Sequence, residues 1–211
     1  MLRDRTVHAR IGVLLYDGVE PIDVGGTIGV VSMARRMLPS LDYVAIARTA
    51  GPVTLAGGLV VQAEYDLDDA PHCDVLMVCG GPGWADAARD EALLAFLHRQ
   101  PPTSLASVCT GALVLAAAGV LKGRAATTRR HTVGAETRSP LELLAEISPS
   151  TSTHEALVVD DSTVTGGGVS LAIDTTLYLI GRLYGGAARN DVAALIEYDR
   201  ASAANRSALD A

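Results

Sequence analysis

Leu105-Ala106-Ser107-Val108-Cys109-Thr110-Gly111-Ala112-Leu113-Val114-Leu115 decides the fold, because an apolar strand pattern runs into a cysteine and then, with no loop between, into a helix pattern. The change of period puts the Cys109 thiol at a sharp turn. The backbone N–H groups of the new helix point at the sulfur, and the positive end of its dipole favours thiolate over thiol. Cys109 is therefore expected to be an ionised, accessible nucleophile.

Working outward, Ile11-Gly12-Val13-Leu14-Leu15-Tyr16 is a continuous apolar run closed by Asp17-Gly18, as expected for a first strand buried on both faces. A crossover helix is predicted over 21–37, stopped by Pro39-Ser40, then a second strand over 43–47 and a hairpin joining 53–55 to 59–61. A third main strand over 75–79 runs into Gly80-Gly81-Pro82-Gly83, and a helix over 86–99 leads to the strand that delivers Cys109. Beyond it the spacing predicts a helix over 110–119, a return of 121–128 towards the sheet, a hairpin joining 156–159 to 163–165, and helices over 170–184 and 191–198. The alternation predicts an α/β fold with a mostly parallel central sheet and helices on both faces. A single domain over 1–200 is expected, with 201–211 a flexible tail.

Composition narrows the function classes. The chain has 211 residues, 49% of them hydrophobic, 21 glycines and 4% aromatic residues, which suits closely packed βα layers and a core that needs no metal or disulfide. Net charge is −7, and the only dense basic clusters are Arg35-Arg36 and Arg129-Arg130-His131, so nucleic-acid binding is not expected. Residues 1–10 lack the apolar core of a signal peptide, and no apolar run has spanning length, so a cytoplasmic protein without membrane contact is expected. Cys73, Cys79 and Cys109 show no metal-binding spacing. Cys79 reads as a core filler and Cys73 as a connector residue.

In a parallel sheet, ligands bind beyond the carboxyl ends of the strands. Three groups converge there: Glu20 and Asp23 after the first strand, Gly80-Gly81-Pro82-Gly83 after the third, and Cys109-Thr110 after the central one. Cys109 is the candidate nucleophile and Asp23 the candidate proton carrier. The glycine turn and the amides around Thr110 are the candidate anion cradle. The competing readings are that Asp23 only caps the helix after it and that the glycine turn is ordinary βα geometry. His131 and His154 read as solvated or structural.

These segments resemble the ThiJ/PfpI superfamily, of the class I glutamine amidotransferase-like kind, and within it the isocyanide hydratase branch. The likeness runs over about 11–198. It is carried by Ser107-Val108-Cys109-Thr110-Gly111-Ala112, by Gly119-Val120-Leu121-Lys122-Gly123-Arg124-Ala125-Ala126-Thr127-Thr128, by Gly80-Gly81-Pro82-Gly83 and by Thr165-Gly166-Gly167-Gly168-Val169. It implies a flavodoxin-like three-layer sandwich with Cys109 on a nucleophile elbow, usually a homodimer, acting on a small molecule with no metal or organic cofactor. An aspartate at the position of Asp23, where many members carry glutamate, points to the hydratase branch. The implied reaction is that of a hydro-lyase: Cys109 attacks an isocyanide carbon, Asp23 manages water and protons, Thr110 contributes its amide, and Gly80, Gly81 and Gly168 shape the substrate pocket. The alternatives are glyoxalase, deglycase or amidase-like chemistry, or a ligand or redox sensor. Regulators of this superfamily carry an added helix-turn-helix pair, and this chain is expected to lack one. Two departures stand out: Arg129 where a histidine is common, and Thr27 where a proline is common. Val30, Trp84 and Ile173 are expected near the pocket wall.

Overall fold

The structure, a computed structural model, describes residues 4–209. Its centre is a six-stranded sheet in the order β2 (Leu41–Ile46), β1 (Ala9–Leu14), β5 (Val75–Val78), β6 (Leu105–Val108), β10 (Thr163–Gly166) and β9 (Val158–Asp161). All pairs are parallel except β9–β10. The expected mostly parallel sheet is therefore found. β5, β6 and β10 are buried along their whole length, which is why they read as unbroken runs and not as alternating ones.

The two directions in which the chain leaves β1 and β5 decide where the helices go. The connection from β1 to β2 passes through α1 (Pro21–Val24), a π-helical turn (Gly25–Gly29) and α2 (Val30–Ala34). That from β5 to β6 runs the opposite way across the sheet, through α3 (Trp84–Ala87) and α4 (Glu91–Arg99). Right-handed crossovers then put the two groups on opposite faces. α5 (Gly111–Ala117) packs with α3, α4 and α6 (Pro140–Ile147), while α7 (Ala172–Tyr184) and α8 (Gly186–Leu195) pack with α2. The result is a three-layer sandwich, and its strand order reverses between β1 and β5, where a crevice opens.

The structure departs from the sequence reading in several places. The helix predicted over 21–37 stops at Ala34 and contains a wide turn over Gly25–Gly29, within which the Thr27 hydroxyl donates to the Asp23 carbonyl at 2.9 Å. The one predicted over 86–99 is two, since Asp90 leaves the helical conformation and caps α4 by accepting from the Ala92 and Leu93 N–H groups. Residues 121–128 do not join the main sheet: only β7 (Ala125–Ala126) is a strand, paired with β8 (Ser152–Thr153) in a small sheet of its own. Both predicted hairpins form, as β3 (Gly51–Thr54) with β4 (Val60–Ala63) and as β9 with β10. α6 was not predicted, although its capping box, Ser139 with Glu142, and Pro140 at the first turn are legible.

The tail expected to be flexible is also different: α9 (Asp199–Leu209) is a helix with Ser202 buried. Its Asn205 side chain donates to the buried Asp174 carboxylate at 2.8 Å, and Tyr198 donates to the same oxygen at 2.9 Å. A polar anchor of this kind leaves no apolar period to read. Residues 210–211 of that expectation lie outside the described residues.

Gly111 shows how tightly the central layers meet, since a Cβ there would stand 2.0 Å from the Val78 carbonyl oxygen. Gly111→Ala is expected to destabilise the chain by about 3 kcal/mol or more. Gly25→Ala, at a helical position with open space around it, is expected to stabilise it by about 0.5 kcal/mol. Urea denaturation of the two variants checks both.

Candidate active site

Cys109 follows β6 and precedes α5, and it turns the chain with a φ of +52°, a left-handed conformation that costs a non-glycine residue about 1–2 kcal/mol. Its surroundings hold it there. The Cys109 N–H lies 3.2 Å from the carbonyl oxygens of both Gly166 and Gly167, and its own carbonyl accepts from the Thr128 hydroxyl at 2.6 Å. The Thr110 hydroxyl accepts from the Gly81 N–H at 2.8 Å and is 3.2 Å from the Gly81 carbonyl. The elbow is thus tied to β10, to the turn after β5 and to the segment after β7.

Asp23 sits in α1, fully buried, and its Oδ2 accepts from the Gly80 N–H at 2.8 Å. It does not cap its helix, whose N-cap is Glu20 with no side-chain bond. Asp23 Oδ1 is buried without a hydrogen-bond partner in normal range. Burial raises the Asp23 pKa to about 7, while the Gly80 N–H and the Cys109 thiol beside it pull the other way. Burial likewise pushes the Cys109 thiol up to about 12, aided by the Asp23 charge and opposed by the Thr110 N–H and Arg129. The thiolate expected from the helix dipole is therefore opposed by burial and by the Asp23 charge, both of which favour the neutral thiol. α5 has only seven residues, and its end partial charge is outweighed by loss of solvent and a neighbouring carboxylate.

The glycine turn is likewise not the expected anion cradle. Its N–H groups are all engaged: Gly80 with Asp23, Gly81 with Thr110, and Gly83 with the Gly18 carbonyl at 3.1 Å. Its glycines serve close approach instead. A Cβ at Gly80 would stand 2.4 Å from the Thr110 nitrogen, and one at Gly81, whose φ is +149°, would meet the Gly18 carbonyl oxygen at 2.4 Å. Gly168 has the same role across the sulfur, since a Cβ there would be 2.8 Å from Cys109 Sγ.

Cys109 is 3% exposed, and the exposure opens into a pocket of about 260 Å³ with Thr110 and Gly81 beside it. Pro82, Trp84 and Val133 form its apolar wall, and Glu20, Arg129 and Glu136 its charged one. Asp23 lies behind the sulfur and is not in the wall. Trp84 is where the sequence reading expects it, but Val30 and Ile173 line a separate apolar groove with Met33 and Tyr198. A larger cavity, about 450 Å³ between Tyr16, Arg48 and Asp90, does not reach Cys109.

Arg129, Val133 and Glu136 are the pocket residues that sequence reasoning did not place at the site. Arg129 stands out there only as a replacement for histidine, and Glu136 lies in a loop with no periodicity to mark it. Arg129 is 8% exposed, and its Nη2 pairs with Glu136 Oε1 at 2.6 Å. His131 is exposed and offers Arg129 only its backbone carbonyl, and the exposed His154 bonds Ser152. Cys79 is a fully buried core residue, and the Cys73 thiol bonds the Pro71 carbonyl in its connector. Among the described residues no cluster of three metal-ligating side chains occurs, and no helix is long and apolar enough to cross a membrane.

The chain is similar to a protein family and to several known proteins. The model of the DJ-1/PfpI family matches residues 9–181. An isonitrile hydratase of Pseudomonas putida is 33% identical over 83% of this chain and 72% of its own length, and the transcriptional regulator GbdR of Pseudomonas aeruginosa is 27% identical over 90% of this chain and 51% of its own. Among solved structures, a ThiJ/PfpI family protein from Pseudomonas syringae superposes with a TM-score of 0.77 and 27% identity, covering 93% of this chain and 78% of that one.

The raised pKa of Asp23 has a consequence for stability. An acid whose pKa is about 7 folded and near 3.8 unfolded binds more protons in the folded state between those values, so its contribution is favourable at low pH and lost as pH rises towards 7. Asp23→Asn is expected to match the parent's stability near pH 4 and to exceed it at pH 8, by a ceiling of about 4 kcal/mol. Thermal denaturation of both chains across that range measures it.

Proposed function

This chain belongs to the DJ-1/PfpI family, and on that basis we propose that it is a cysteine-dependent hydratase that converts a small isocyanide to an N-substituted formamide. The observation that carries the reading is a thiol on a strained elbow, beside a buried carboxyl group of pKa about 7 and opening into a small pocket with an apolar wall. A neutral, compact, linear electrophile suits such a pocket. The identity to an isonitrile hydratase over most of both chains supports the same reaction.

In this mechanism the Cys109 sulfur bonds to the terminal carbon of the isocyanide as its proton passes to Asp23. Asp23 then returns the proton to that carbon, leaving a thioimidate. Water adds to the same carbon, with one proton going to nitrogen. The carbon–sulfur bond breaks, the thiol takes back a proton, and the formamide leaves. The nucleophile is activated on demand by its base and does not rest as thiolate. Thr110 supplies its N–H to the sulfur, and Gly80, Gly81 and Gly168 let the backbone close around the elbow, with the adduct forming in the pocket that Gly81 lines. The same burial disfavours a redox-sensor role, which calls for a low-pKa exposed thiolate.

Purified protein with an alkyl isocyanide is expected to form the formamide, followed by mass spectrometry. Cys109→Ala should abolish the reaction and Asp23→Asn lower kcat/KM by about 10²-fold or more. Activity should rise through pH 7 as Asp23 ionises, a limb that Asp23→Asn removes. Lactate from methylglyoxal with no formamide would move the chain to the glyoxalase reading. Turnover of neither would favour a ligand sensor, the reading to which the likeness to GbdR lends support. A homodimer belongs to the same proposal: the groove lined by exposed Ile22, half-buried Met33 and buried Val30 offers an apolar face. Sedimentation is expected to show two chains per particle, with Ile22→Asp shifting them to one.

A further inference from the structure

Arg129 is a buried cation set against the elbow by its own backbone. The preceding residues are clamped: the Thr127 N–H donates to Thr165 Oγ1 at 2.9 Å, and the Thr128 hydroxyl donates to the Cys109 carbonyl at 2.6 Å. The position a Gly168 Cβ would take is 2.8 Å from Cys109 Sγ and 3.0 Å from Arg129 Cβ, so both side chains flank Gly168. The guanidinium then turns along the pocket wall, where Nη2 meets Glu136 and Nη1 meets the His131 carbonyl. Two of its five N–H donors are taken in this way, and three remain. Arg129 is the one cationic side chain among the described residues of that wall.

We propose that Arg129 stabilises the negative charge that develops on the Cys109 sulfur, with Glu136 as the positioning residue that holds the guanidinium in place. This rests on reading Cys109 as the nucleophile. The turn after β5 offers no free donor, because the N–H groups of Gly80, Gly81 and Gly83 already have acceptors, which leaves the Thr110 N–H and the Arg129 guanidinium to act on the sulfur. When the thiol proton moves to Asp23, a negative charge leaves the carboxylate behind the sulfur and appears on the sulfur, in the pocket that Arg129 lines. Arg129 therefore favours the transfer, and an excluded-water setting strengthens the effect. The pull of Arg129 on the thiol, against burial and the Asp23 charge, has the same sign. Glu136 opposes it in part, since its carboxylate shares the guanidinium.

The test is the pH profile of iodoacetamide alkylation of Cys109 in the full chain, followed on its own peptide by mass spectrometry so that Cys73 and Cys79 are read separately. Arg129→Gln is expected to slow alkylation at neutral pH about tenfold and to move the profile up by about one unit, a shift that equals that factor in thiolate. Arg129→Lys should retain part of the rate. Glu136→Gln keeps an accepting oxygen and removes the opposing charge, so it should speed alkylation and move the profile down. A folded Arg129→Gln chain with the parental profile overturns the assignment. If that variant does not fold, a Glu136→Gln profile identical to the parent's, or displaced upward, overturns it equally. Alkylation needs no isocyanide, so failure to hydrate isocyanides would sink the preceding reading and leave this readout standing.

Discussion

The left-handed turn at Cys109 is the constraint around which the rest of the molecule is arranged. A non-glycine residue keeps that conformation only when its neighbours over-determine it. Here β10 takes the Cys109 N–H, Thr128 takes its carbonyl, and Thr110 is bonded to the turn after β5. Each tie comes from a different part of the chain, so the sheet must close in the order found before the thiol can point into the pocket. Strain at one residue and close approach at Gly80, Gly111 and Gly168 are two sides of the same packing.

Packing that tight has an electrostatic consequence. Water is shut away from Cys109 and Asp23 together, and each is pushed towards its neutral form. A buried carboxyl with a pKa near neutrality beside a protonated thiol is a proton-transfer pair, a different device from a resting thiolate at a helix end. The arrangement costs stability above neutral pH and, in the proposed reaction, would supply a base of useful strength near neutrality. In the proposed reaction Arg129, the one cationic side chain among the described residues of the pocket wall, joins the Thr110 N–H in favouring transfer of the thiol proton.

Much of this was legible without coordinates. The strand-to-helix change at 105–115 and the apolar runs at 11–16 and 75–79 are local signals, and they appear as β6 with α5, as β1 and as β5. Other elements failed to register for identifiable reasons. The break inside 86–99 depends on Asp90 choosing to cap, which competes with a helical pattern that looks continuous. α9 depends on Asn205 reaching Asp174, a contact between residues 31 apart that carries no hydrophobic period.

The amino-acid sequence by itself determined the layering of the fold, the position of the cysteine at a strand end and the company of Asp23 and the glycine turn at one rim. Those properties follow from periodicity and from the rule that parallel strands present their carboxyl ends to a common edge. Only the tertiary structure decided the protonation of the pair, the loss of the glycine N–H groups to internal acceptors and the approach of Arg129 with Glu136. These depend on burial and on distances between segments far apart in the chain, and desolvation is a property of the closed fold that no local stretch of residues carries.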